Sequence, residues 1–233
     1  EPNYEFARNR AAQIGEAGVV LVYTPRTPFM RLLAIDAGLE NMMTIMMEDP
    51  DGFDDTIALM RRRFTDAAAL AAACPADIVM IPENLSAEMV GPRLFRRYMQ
   101  DCQVQWSEMI KRNGKHSCIH MDGTLRGLLR EEASIGLTFI EACTPEPVGD
   151  VPVRDWPSYI RGTNTCLWGG IPGAYFTEQV DDEEFDRHVV ETLSVMRREP
   201  RYVLGVADQV PPDGLERRMR RVRELVDIHG NYE

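Results

Sequence analysis

Lys115-His116-Ser117-Cys118-Ile119-His120-Met121-Asp122-Gly123 is a short apolar-alternating run that ends on a histidine and a carboxylate two positions apart. Side chains at i and i+2 leave a strand on one face, so His120 and Asp122 are expected side by side at its end. Gly123 supplies a turn, and a helix is expected soon after it. In a parallel (β/α) barrel the carboxyl ends of the strands carry the chemistry, which makes this pair a candidate site. The plain alternative is a hydrogen-bonded rim histidine, with Asp122 capping a helix over residues 124–129.

Outward from this run, β-rich segments alternate with helical ones. The strands are expected over residues 19–23, 77–82, 117–121, 138–142, 163–168 and 202–207. Helices are expected over 29–37, 40–47, an alanine-rich 53–73, 91–111, 125–133, 182–198 and 214–228. Pro92 sits near a helix start, where its missing N–H does little harm, and Asn113-Gly114 stops that helix.

Such alternation implies a parallel sheet, either doubly wound or a (β/α)8 TIM barrel. The barrel is favoured because polar or titratable residues stand just past several runs: Arg26 and Thr27, Glu83 and Asn84, Asp122, Thr144 and Asp208. No glycine-rich dinucleotide fingerprint follows the first run, which weakens the doubly wound alternative. The six runs fall short of the eight of a complete barrel, so the expectation is one domain over residues 1–233 that lacks the N-terminal portion of such a barrel.

Composition narrows the function classes. A net charge of −11 repels nucleic acid, and the basic clusters Arg61-Arg62-Arg63 and 217–223 fall on helical segments, where a solvated face explains them. The longest apolar run is far shorter than the roughly 20 residues that cross a bilayer, so no membrane partner is expected. Five cysteines without CxxC spacing make no disulfide framework and fit a reducing cytoplasm, mostly as small buried hydrophobes. Cys143 follows a strand and could face a pocket.

The order of motifs resembles the uroporphyrinogen decarboxylase superfamily, which includes the decarboxylase and corrinoid-dependent methyltransferases. The resemblance rests on Glu40-Asn41-Met42-Met43 with Met47-Glu48-Asp49-Pro50, on Ile81-Pro82-Glu83-Asn84 followed by Gly91-Pro92-Arg93-Leu94-Phe95, on 114–123, and on Val210-Pro211-Pro212-Asp213. It implies a (β/α)8 barrel and, in the methyltransferase branch, a zinc site with a His-x-Cys pair, a glutamate on the next strand and a late cysteine. By position His120 matches the histidine, Asp122 stands where the first cysteine would be, Glu141 lies near the acidic position, and the late cysteine falls loosely at Ala207 or Asp208. The chain departs from the pattern at both thiolates.

Zinc accepts nitrogen and carboxylate oxygen, so His120, Asp122, Glu141 and Asp208 could still form a site, and hard donors would make it tolerant of other divalent ions. His116 and Cys118 form a competing pair, but they should lie deeper in the strand or near its start. Glu141, an acid inside an apolar strand, needs a partner; Arg126 or Arg130 could neutralise it.

The expected function is metal-assisted methyl transfer, the demethylation of a small methylated substrate with a corrinoid acceptor on a partner protein. His120, Glu141 and Asp122 would bind Zn2+ or another divalent metal, and Asp122, Asp208 and Glu83 would act catalytically. Arg26, Asn84 and Trp168 are candidates for substrate binding, and Trp168-Gly169-Gly170 would let backbone approach a ligand. Against these stand plain alternatives: a loop salt bridge for Arg26, a turn at Asn84 with Glu83 in solvent, and a rim tryptophan. Two other functions stay open, a metal-free uroporphyrinogen-type decarboxylase and a non-catalytic small-molecule-binding barrel; a homodimer is compatible with either.

Overall fold

The computed structural model describes residues 2–232, which divide into two compact units. The first holds the described residues up to Glu83 together with Pro92–His120 and Ile135–Leu137. The second holds Asn84–Gly91, Met121–Ser134 and the chain from Thr138 onward.

The first unit opens with α1 (Glu5–Ile14), which no apolar stripe in the sequence announces. Strand β1 (Leu21–Tyr23) follows, then α2 (Pro28–Arg31), which runs into a π-helical turn over Leu32–Asp36, then α3 (Leu39–Glu48) and α4 (Pro50–Ala73). Helix α4 starts three residues before the alanine-rich pattern suggests. The Asp49 side chain accepts the Gly52 N–H, and Pro50 stands in the first turn, where it has no N–H to leave unpaired. Strand β2 (Ile78–Ile81), helices α5 (Gly91–Tyr98) and α6 (Gln100–Arg112), and strand β3 (His116–His120) complete the set. The single helix expected over 91–111 is broken at Met99, whose buried side chain marks the joint.

The three strands pair in parallel, with Val22 opposite Val79 and Val79 opposite Ser117. That row faces the helices: Val22 and Val79 pack with Ala72 of α4 and Ile110 of α6, and Ser117 Oγ meets Ser107 Oγ of α6 at 2.8 Å. Alternation turns Tyr23, Met80 and Cys118 to the other face. His120, two residues beyond Cys118, shares it. His116 is exposed at the start of β3, away from the carboxyl end.

The second unit carries α7 (Leu129–Ser134), β4 (Phe139–Cys143), α8 (Trp156–Tyr159), β5 (Cys166–Pro172), α9 (Asp182–Met196), β6 (Tyr202–Ala207) and α10 (Glu216–His229). Its strands are also parallel, and Ile171, Leu204 and Val206 pack against Phe185, Val189 and Leu225 of the two long helices. Strands followed by helices in both units make the chain α/β, of the (β/α) barrel type, with six strands among the described residues.

Arg218 of α10 is 2% exposed, and its guanidinium donates to the carbonyls of Tyr175, Thr177 and Val180 and to Asp182 while lying 5.2 Å from the centre of the Phe185 ring. The rest of the 217–223 cluster is neutralised locally: Arg217 by Asp182, Arg220 by Glu216, Arg221 by Asp186 and Arg223 by Asp227. No helix among the described residues is long and apolar enough to cross a membrane.

Strand β5 lies later than the expected 163–168, because Gly169 and Gly170 are inside it rather than after it. A Cβ at Gly169 would stand 2.4 Å from the Cys143 carbonyl oxygen, and one at Gly170 would stand 2.2 Å from the Tyr202 hydroxyl. The glycines therefore make room for β4 and for Tyr202, which corrects the expectation that they open the backbone to a ligand. Cys143 is fully buried, and burial pushes its thiol far above the ordinary range, so it faces no pocket.

These glycines give a graded test. Gly114 has φ +72° with nothing near its missing side chain, whereas Gly169 has φ +148° and backbone in the way. In urea unfolding Gly114→Ala should cost about 1–2 kcal/mol of backbone strain, and Gly169→Ala should lose about 1–3 kcal/mol beyond that from overpacking.

Candidate active site

The first unit places Arg26, Glu83 and His120 past or at the ends of its strands. Thr27 is the residue before α2 and sits in extended backbone. Its N–H points at both oxygens of the Glu83 carboxyl, at 3.3 and 3.2 Å, and Gln103 of α6 donates to the same group at 3.4 Å. Glu83 is wholly buried, so the solvent-exposed alternative for it is wrong. Arg26, half-buried, donates to the carbonyl of Pro82, and Thr24 N–H donates to the Met80 carbonyl at 2.9 Å. The loop after β1 is thus stitched to the end of β2, and the loop salt bridge considered for Arg26 is replaced by a bond to backbone.

Burial pushes the Glu83 carboxyl up to about 7, and hydrogen bonds from Thr27 and Gln103 and the charge of Arg26 pull only partly the other way. A carboxyl with that affinity is about half protonated near neutral pH. His120 is half-buried on the face of β3 turned from the helices.

The second unit holds Asn84, Asp122, Glu141, Trp168 and Asp208. Strand β3 ends at His120, so Asp122 lies in the turn beyond it and the pleat does not set its direction. That corrects the expectation of a shared strand face. The helix-capping alternative for Asp122 meets no helix over 124–128, because α7 begins only at Leu129, and the turn there is bonded by Asp150. Its carboxylate accepts the N–H groups of Leu125 at 2.7 Å and Arg126 at 3.1 Å. On the other side of the turn Thr124 bonds Ser86, Ala87 and Glu88. Thr124 and Asp150 hold the Asp122-Gly123 turn between the loops that follow β2 and β4.

Glu141 is half-buried in β4 beside a break in register between Ile140 and Cys143, where Ala142 adopts φ +66°. Such a bulge re-aims the neighbouring side chains. The arginines considered as its partners are engaged elsewhere: Arg126 with the Asp150 carbonyl, Arg130 with the carbonyls of Tyr159 and Arg161. Trp168 is half-buried edge-on to Phe139, at 6.2 Å between ring centres, and rests against Gly205. Asn84 and Asp208 are exposed, with φ +51° and +68°.

Among the described residues the non-glycine positions with positive φ, Asn84, Ala142 and Asp208, stand at or just past the carboxyl ends of strands. Strain held at such positions accompanies functional sites. Sequence reasoning noted Thr27 only as a polar residue past the first run and missed Gln103, Thr124 and Asp150 as supports. Asp150 serves backbone 24 and 25 residues away and had no local signal.

Among the described residues no three His, Cys, Asp or Glu side chains are grouped so as to hold a metal ion.

The uroporphyrinogen decarboxylase (URO-D) family matches residues 20–229, and the chain belongs to that family. Among solved structures it is similar to a methyltransferase from Methanosarcina mazei, at 14% identity and a TM-score of 0.74, over 94% of this chain and 61% of that one. The chain thus spans about three fifths of that protein's length. A protein described as an orotidine 5′-phosphate decarboxylase from Streptomyces avermitilis also matches, at 11% identity and a TM-score of 0.43, over 88% of this chain and 70% of that one. No curated protein matches.

The buried acid has a measurable consequence. Its native affinity for a proton exceeds that of the unfolded chain, whose ordinary value is 4.5, so the unfolded state sheds the proton first and stability falls as pH rises from about 4.5 to about 7. Glu83→Gln should unfold at higher urea than the wild type at pH well above 7, by an amount on the order of 3 kcal/mol at most. Below the unfolded value the two should converge.

Proposed function

We propose that this chain carries the strand-end groups of a methyl-transfer enzyme that removes a methyl group from a small methylated acid and passes it to a corrinoid on a partner protein. Membership of the URO-D family and the fold shared with a methyltransferase support this reading. The observation that carries it is the end of β3. In the first unit His120 is turned from the helices, and in the second Asp150 and Thr124 hold the segment next to Asp122.

In this reading Arg26 takes the anionic end of the substrate, and Trp168 and Asn84 lie along its path. As the methyl group leaves, the heteroatom that bore it keeps the bonding pair and needs a proton. Asp122 or Asp208 supplies it as a general acid, a role worth about 10²–10⁴-fold in rate. The corrinoid supplies the nucleophile that accepts the methyl group. No step is derived through a divalent metal; zinc or a similar ion at His120, Asp122 and Glu141 belongs to the proposal and is read by metal analysis.

A metal-free decarboxylase is the second reading, supported by membership of the uroporphyrinogen decarboxylase family. One experiment separates the two. The protein is incubated with reduced free cobalamin and a panel of methylated aromatic and amino acids, and demethylation and carbon dioxide release are followed together. Cobalamin-dependent demethylation that drops about 10²-fold or more in Asp122→Asn supports the proposal. Carbon dioxide release without demethylation overturns it. Stoichiometric metal in the wild type that is lost in His120→Ala would add the metal to the site.

A further inference from the structure

The Glu83 carboxyl is buried at the joint between the loop after β1, the end of β2 and helix α6. Its bonds, at 3.2 to 3.4 Å, are longer than the 2.7–2.9 Å of charge-assisted hydrogen bonds. It is not gripped as an ion would be. The Thr27 hydroxyl oxygen is buried too and has no hydrogen-bond partner. That hydroxyl can accept the proton of the Glu83 acid form or donate to its ionised form, and burial of the carboxyl outweighs the latter.

Arg26 immediately precedes Thr27, and its guanidinium bonds the carbonyl of Pro82, the residue before Glu83. The groups facing the carboxyl are Thr27 and Arg26 from the loop, and the Gln103 amide and the Cys102 thiol from α6. Burial pushes that thiol up to about 12, so it stays neutral. Arg26 is therefore the cation that responds when the carboxyl changes charge.

We propose that Glu83 is a proton-holding positioning residue for substrate binding. In its acid form it pins the turn over 24–27 and leaves Arg26 to an anionic substrate group; in its ionised form it draws Arg26 inward and weakens that binding. The proton lost on ionisation goes to solvent. The inference deepens the reading of Arg26 as the substrate's anion partner and rests on it.

The test is labelling of arginines in the full chain with phenylglyoxal, quantified by peptide mass spectrometry on either side of about pH 7. Arg62, exposed on α4, is the internal reference. In the wild type the Arg26-to-Arg62 ratio should fall several-fold as pH rises, and in Glu83→Gln it should stay flat. A flat ratio in the wild type, or an equal fall in the variant, overturns the proposal. Should Glu83→Gln not fold, 13C spectra of the wild type decide: one glutamate carboxyl must titrate near neutrality together with the Arg26 ratio, and its absence is fatal. Labelling requires no turnover, so failure here is distinct from failure to find demethylation.

Discussion

A strand in a parallel sheet has two faces, and helices that connect it to the next strand seal one of them. In the first unit that face is Val22, Val79 and Ser117 against α4 and α6. In the second it is Ile171, Leu204 and Val206 against α9 and α10. Side-chain alternation then turns the intervening residues of each unit from its helices, the half-buried His120 in the first and the half-buried Trp168 in the second. The burial that holds each unit together also decides which residues remain available for chemistry.

What holds the strand ends is polar rather than apolar. A loop that follows a strand has left the ladder, so its N–H groups need other acceptors. Glu83 takes the Thr27 N–H, Asp150 takes those of Leu125 and Arg126, and Thr124 receives the Glu88 N–H. Two of these acceptors are carboxyl groups, but they differ in surroundings. Glu83 is sealed from water and favours its proton. Asp150 is half-buried and accepts bonds as short as 2.7 Å. Two similar side chains thus become a proton store and a cap.

Donor chemistry frames the family relationship. A soft thiolate pair would bind zinc tightly and donate electron density; carboxylates are harder and less selective. This chain has Asp122 where the family's methyltransferase branch is expected to carry a thiolate, and its five cysteines lie elsewhere, four of them buried. The chain belongs to the URO-D family.

Much of the architecture was legible in the sequence, because periodicity and helix-start residues act over a few positions. The six strands, the long helices and the family follow from such local patterns, and so does the choice of the 115–123 stretch. Strand β5 was misplaced because two glycines usually end a strand, and only the approach of Cys143 and Tyr202 explains why they continue this one. The helix break at Met99 is likewise set by packing. For Asp122 the sequence offered a strand face or a cap; the structure supplied a turn held by Asp150 and Thr124 instead. The sequence by itself determined the class of fold and the family, and it named the candidate groups. Their protonation, their orientation and their supports were decided by the tertiary structure, because burial and hydrogen bonds between residues such as Thr27 and Glu83, 56 positions apart, exist only once the chain has folded.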